Sequence, residues 1–329
     1  MPLLSDFQGQ SGAFDLAIVA ATISILIGGM LFGIGLGFGI RRIRLLGSEE
    51  IGQGIISAAM VGALVAFTVL LDSTTASLVP SSLPSCPAIS SPSSSPYSYY
   101  MCNLASLELS LRSLATSLSR ASDISGFASS LQISTGVVSA QPFFSLESAS
   151  RSLSDAASRA YSLSSLAFFE LELADFVRAS ALSVFLPAGL LLRTFFATRR
   201  LGAAAMAIAI SAYLVYPLFF LFTFTVSKSS AALLEANSAA AQFNSDFASI
   251  PLLDLDATSS VKNSIDSLSS GDFPGKLQPL FPSSFRALSI VSADLFIFPL
   301  ISLIVSAVAA LELYRMLSAP IFLPYFEAV

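Results

Sequence analysis

Five runs of nearly unbroken apolar residues punctuate the chain, at 16–40, 55–71, 177–196, 201–226 and 290–313. A helix rises 1.5 Å per residue, so about 20 apolar residues cross the hydrocarbon layer of a bilayer. Each run therefore predicts a transmembrane helix, 55–71 being the shortest. The intervening segments have a different rhythm. Leu104, Leu107, Leu111, Leu114 and Leu118 alternate steps of three and four, and Leu146, Ala149, Leu153, Ala156, Ala160, Leu163 and Ala167 do the same. That spacing places one apolar stripe on each of two packed helices. With Gly126, Gly136 and Pro142 marking the turn, it predicts an antiparallel helical hairpin whose second arm runs on into the third span.

After the fourth span, Ala231, Leu234, Ala241, Phe243 and Phe247 extend a helix for several turns before Pro251, whereas 254–282 mixes Asp, Ser, Gly and Pro and reads as a loop or partner contact. The expected organisation is all-α. Spans one and two lie in 1–71, a Ser-rich helical domain in 72–176, spans three and four in 177–226, a second polar segment in 227–289, and span five with the C-terminus in 290–329.

Composition strengthens the membrane reading: 54% of the 329 residues are hydrophobic, 11% are charged, and the mean hydropathy is +0.78. No His is present, which removes the commonest general base and metal ligand, and two Cys cannot build a Cys-only metal site. No catalytic residue, cofactor or metal is expected. A net charge of -5 gives no basic field for direct nucleic-acid binding.

The first twelve residues carry only Asp6 as a charge, so the first span lacks the basic start of a signal peptide and is read as retained. Arg41, Arg42 and Arg44 follow span one, Arg193, Arg199 and Arg200 surround the end of span three, and Arg315 follows span five. The positive-inside rule then predicts an outer N-terminus, a cytoplasmic C-terminus and outward projection of both long polar segments.

Cys86 and Cys102 fall in the first of these, among Pro80, Pro84, Pro87, Pro92 and Pro96. A disulfide there would close a loop of roughly 15 residues and contribute about 3 kcal/mol; two free thiols are the alternative. Within span one, Gly29, Gly33 and Gly37 form overlapping small-xxx-small steps, with Gly35 and Gly39 giving another, which predicts close helix packing inside the chain or against a second subunit. Asp294 near the outer end of span five could face Arg178 near that of span three, and Arg193 could pair with Glu312 at the opposite ends. Pro187, Pro217 and Pro299 are candidate kinks.

The stretch FLPAGLLLRTFFATRRLGAAAMAIAISAYLVYPLFF, together with the closing FPLISLIVSAVAALELYRML and the outward domain with its Cys pair, resembles archaeal polytopic membrane proteins similar to the TrbL-type inner-membrane component of conjugation and type IV secretion machines. The resemblance implies a non-enzymatic scaffold or channel subunit that helps DNA or protein cross the envelope. Its partners would be the lipid bilayer, other membrane subunits or a second copy. The alternative is a small-solute or ion transporter, which should bury polar groups around broken helices near the midplane.

Overall fold

The computed structural model of the chain describes residues 3–78, 96–134, 136, 139–141, 143–194, 198–248 and 273–318. Among the described residues the chain is helical almost throughout. The helices are α1 (Leu3–Gly37), α2 (Arg41–Leu78), α3 (Pro96–Ser130), α4 (Leu146–Ser180), α5 (Leu186–Thr194), α6 (Arg199–Ile210), α7 (Tyr216–Val226), α8 (Ser229–Asp246), α9 (Phe273–Leu277) and α10 (Leu280–Ser318). Two-residue strands Ile133–Ser134 and Ser139–Ala140 pair antiparallel between α3 and α4. Five helical stretches are long and apolar enough to cross a membrane: Ile18–Gly37, Arg41–Leu71, Leu146–Arg193, Arg199–Phe220 and Phe273–Ser318.

Several expected boundaries move, each for a local reason. The loop expected at Arg41, Arg42 and Arg44 shrinks to a turn at 38–40, and these arginines open α2. Gly39 takes a left-handed φ of 65°, and the Ile40 N–H reaches back to the Gly35 carbonyl at 3.0 Å. That is the glycine-capped helix ending in which a residue without Cβ turns the chain and satisfies the last carbonyls. Pro96 opens α3, a position where its missing N–H costs nothing. The loop expected to reach 282 gives way to helix from Phe273 onward. In α8 the buried side is Ala232, Leu233, Ala236, Ala240 and Phe243, while Leu234 is 73% exposed.

The chain forms two compact units, Met1–Cys102 with Glu172–Thr223 and Leu300–Val329, and Asn103–Leu171 with Phe224–Pro299. In the second unit the leucine stripe is the core: Leu104, Leu111, Leu114 and Leu118 are fully buried and Leu107 nearly so, as are Leu153, Ala156, Ala160 and Ala167 on α4. The Ser122 and Ser150 hydroxyls each donate to the other residue's carbonyl at 2.9 Å, and Ser164 donates to Glu108 at 3.2 Å. Numbering rises on one helix as it falls on the other, so α3 and α4 are antiparallel. Asn237 and Asn244 of α8 donate to the carbonyls of Ser110 and Ser117, each at 3.1 Å, fixing α8 parallel to α3. Phe243, Phe247 and Phe273 close one end, with centroids 4.8 to 5.5 Å apart. Lys276 adds an ion pair to Asp246 at 3.0 Å.

In the first unit α1 and α2 pack at backbone distance. A Cβ at Gly28 would lie 2.9 Å from the Ile51 nitrogen, at Gly35 2.5 Å from that of Arg44, and at Gly47 2.4 Å from that of Phe32, while at Gly54 it would meet Ile25 at 2.6 Å. Gly28 and Gly35 are seven apart, as are Gly47 and Gly54, so the two helices interleave glycines along one seam. The expected stripe of Gly29, Gly33 and Gly37 lies off this seam: among the described residues nothing comes within 4 Å of a Cβ at any of the three. The seven-residue interval outweighs the four-residue one because a gently crossing antiparallel pair keeps contact at a period near 3.5. Helices α5 and α6 repeat the device. A Cβ at Gly202 would sit 2.5 Å from the Gly189 carbonyl oxygen.

Pro187 and Pro217 each follow a π-helical segment, Ala181–Phe185 and Ser211–Val215. A proline has no N–H for the carbonyl four residues earlier and its ring crowds that turn; a widened turn just before it relieves both. Pro299 lies inside α10, whose helix runs on through it.

Candidate functional site

The α1–α2 seam sets the azimuth of α2, and with it the acidic residues near its start. Glu50, Gln53 and Ser57 recur at helical spacing on one face and are all buried. Opposite them stand Arg193, in the last turn of α5, and Arg199, the first residue of α6. Arg199 donates from Nη1 to Glu49 Oε1 at 2.8 Å and from Nη2 to Glu50 Oε1 at 2.9 Å. Gln53 Nε2 donates to Glu49 at 3.4 Å.

Arg193 is 5% exposed, and together with Glu50, Gln53, Ser24 and Ser57 it lines a cavity of about 10 Å³. Such a volume admits one water. Among the described residues, Arg193 Nε and Nη1 and Gln53 Oε1 are buried with no protein hydrogen-bond partner. Two donors and an acceptor around a water-sized space form a site for a single bridging water. Two carboxylates and two guanidiniums also cancel in charge, so the cluster has no net preference for an anion or a cation. It can pin α2 to α5 and α6, and its space is too small for a solute.

A second polar cluster lies where α3 begins. Tyr97 stacks on Tyr213 at 5.6 Å and 14°, and Tyr100 meets Phe220 edge-on at 4.6 Å. The Tyr97 hydroxyl donates to the carbonyl of Ala174. Burial pushes the Tyr97 phenol above its ordinary range, and neighbouring tyrosines add to the effect.

Three of the charged residues singled out from sequence have described partners. Asp294, 7% exposed, accepts a hydrogen bond from the Ser227 hydroxyl, whose oxygen in turn accepts the Ser229 N–H at 3.0 Å. Arg178 pairs with Asp175 one turn away at 3.5 Å and belongs to the other compact unit. Glu312, expected near Arg193, pairs with Arg315 at 2.7 Å. Cys102 lies half-buried in α3, whereas Cys86 falls outside the described residues. Among the described residues no group of three His, Cys, Asp or Glu could hold a metal ion.

Sequence reading missed Glu49, Glu50 and Gln53 because the apolar run starts at Ile55, which puts them in a connecting loop. The signal was present in the spacing of Glu50, Gln53 and Ser57. Comparison with known protein families, curated proteins and solved structures finds no match to this chain.

Proposed function

We propose that this chain is a non-enzymatic, multi-pass membrane scaffold or channel subunit of an envelope-spanning translocation machine, with its N-terminus outside and its C-terminus in the cytoplasm. The observation that carries this reading over a transporter is the closure of the Glu50–Arg193–Arg199 cluster. With Glu49 counted, two carboxylates face two guanidiniums around space for one water, whereas a solute pathway needs polar groups open to an aqueous cavity. The bare surface of the spans adds support. Between 22% and 33% of four of the five apolar windows is buried within the chain, which leaves most of each helix for lipid, for neighbouring subunits or for a second copy. The outward helical domain, with Cys86 bonded to Cys102, is the part that meets partners.

The test is cross-linking in the native membrane followed by mass spectrometry of what co-purifies. Recovery of other membrane or secretion subunits in fixed proportion is the expected result. Recovery of the chain alone, combined with solute flux in liposomes reconstituted from the pure protein, would overturn the scaffold reading in favour of a transporter.

A further inference from the structure

In the second unit, α4 and α10 enclose an open groove of about 650 Å³, a size typical of small-ligand sites. Its floor is apolar, with Leu163 and Leu288 8% and 5% exposed. Arg159 lines it from α4. Four serines complete the polar part, and each has already committed its proton. Ser158 donates to the Asp155 carbonyl at 2.8 Å, Ser162 to that of Ser158 at 3.0 Å, Ser289 to that of Arg286 at 2.9 Å and Ser292 to that of Ser289 at 2.9 Å. Among the described residues the groove therefore offers one cation, the exposed Arg159, and four hydroxyl oxygens whose lone pairs face outward from these bonds.

A complementary occupant brings an anion for Arg159 and hydroxyl donors for the serines. The apolar end specifies its other half. Leu166 and Phe296 line the groove; Phe296 is 61% exposed, and Phe169, one turn beyond Leu166 on α4, is 62% exposed. Bare aromatic and aliphatic side chains at the end of a membrane-spanning stretch are where acyl chains begin. We infer that this groove binds an anionic phospholipid of the phosphoglycerol class, its phosphate on Arg159, its headgroup hydroxyls donating to the serines, and its chains lying over Phe296.

The inference rests on membrane insertion of α10 and not on the translocation reading. The chain has no Trp, so Phe296→Trp creates a single emitting site. Full-length protein is reconstituted into phosphatidylcholine vesicles carrying a minor fraction of brominated phosphatidylglycerol or, separately, brominated phosphatidylcholine, with helical content checked for every variant. Quenching by the glycerol lipid is expected to correspond to roughly fivefold enrichment at the groove, the factor one interfacial arginine supplies. The preference should vanish in Arg159→Gln and persist in Arg159→Lys. Equal quenching by both lipids, or a preference that survives Arg159→Gln, would overturn the proposal. A second reporter, Ile304→Trp, tests insertion alone. If it is quenched by both lipids while the Phe296→Trp emission is quenched by neither, the groove holds protein or water and the lipid assignment fails. If neither reporter is quenched, membrane placement fails with it.

Discussion

Arg199 and Glu50 lie 149 positions apart in the chain, yet Nη2 of one meets Oε1 of the other at 2.9 Å, with the carboxylate side chain 5% exposed and the guanidinium 20%. The pair ties the first turn of α6 to the first third of α2. Removing Arg199 strips the buried Glu50 carboxylate of its ion pair, which costs up to about 3–5 kcal/mol, whereas loss of Glu50 leaves Arg199 its bond to Glu49 and costs less, and replacing both is milder still. Glu50→Gln and Arg199→Met are each expected to lower the melting midpoint in detergent by several degrees. The double variant should recover much of that loss. Additive losses in the double variant would show that the two side chains act independently.

The glycine seam makes a sharper contrast between neighbours. Gly35→Ala and Gly47→Ala each place a Cβ within 2.5 Å of facing backbone atoms, where no flexible side chain can yield, so α1 and α2 must separate at a cost of about 1–3 kcal/mol. Gly33→Ala meets nothing within 4 Å among the described residues and should be neutral or stabilise by up to about 1 kcal/mol through helix propensity. Thermal unfolding of the three variants side by side checks this. A loss at Gly33 equal to that at Gly35 would move the seam back to the four-residue stripe, or place another subunit upon it.

These two cases show which part of the architecture the sequence carries. Leu104 to Leu118 and Leu146 to Ala167 were legible because a stripe with period 3.5 on a Ser-rich background has one reading, and those stripe residues, the half-buried Ala149 apart, are in the core. The five apolar stretches were legible by length alone. Inside an apolar helix every face looks alike, so composition could not separate Gly28 from Gly29. Glu50 was lost for a related reason, since an ion pair between residues so distant in sequence leaves no local pattern beyond the face that its partners share. The helical start at Phe273 was hidden by Pro274, Gly275 and Pro279, and it is stabilised instead by tertiary contact of Phe273 with Phe243 and Phe247.

Tyr97 gives a pH dependence with a definite sign. Its folded phenol ionises above the ordinary value of about 10, because burial opposes the phenolate and the hydroxyl is committed to the Ala174 carbonyl. A raised folded value means that the stabilising contribution is complete below about pH 10 and is lost as the pH rises through and beyond it. Tyr97→Phe should therefore flatten the fall of stability above about pH 10 and remove one late-ionising phenolate from the absorbance titration. An unchanged titration would mean that Tyr97 ionises with the exposed tyrosines.

Orientation has its own decisive residues, Arg42 and Lys228, which sit at opposite ends of apolar stretches and are both exposed. Arg42 belongs to the basic group at the start of α2, Lys228 to the short break between α7 and α8. In a background with Cys86 and Cys102 replaced by serine, Lys228→Cys should react with a membrane-impermeant maleimide from outside intact cells, and Arg42→Cys only after permeabilisation. Lys228 is preferred to Ser227 because the Ser227 hydroxyl is engaged with Asp294. The result reaches beyond topology, because a disulfide between Cys86 and Cys102 persists only on the oxidising side of the membrane. Labelling of Arg42→Cys from outside would place both cysteines in the reducing compartment. It would also point the four acceptor serines and Arg159 toward the cytoplasmic leaflet, where anionic lipids would have to be supplied from that side.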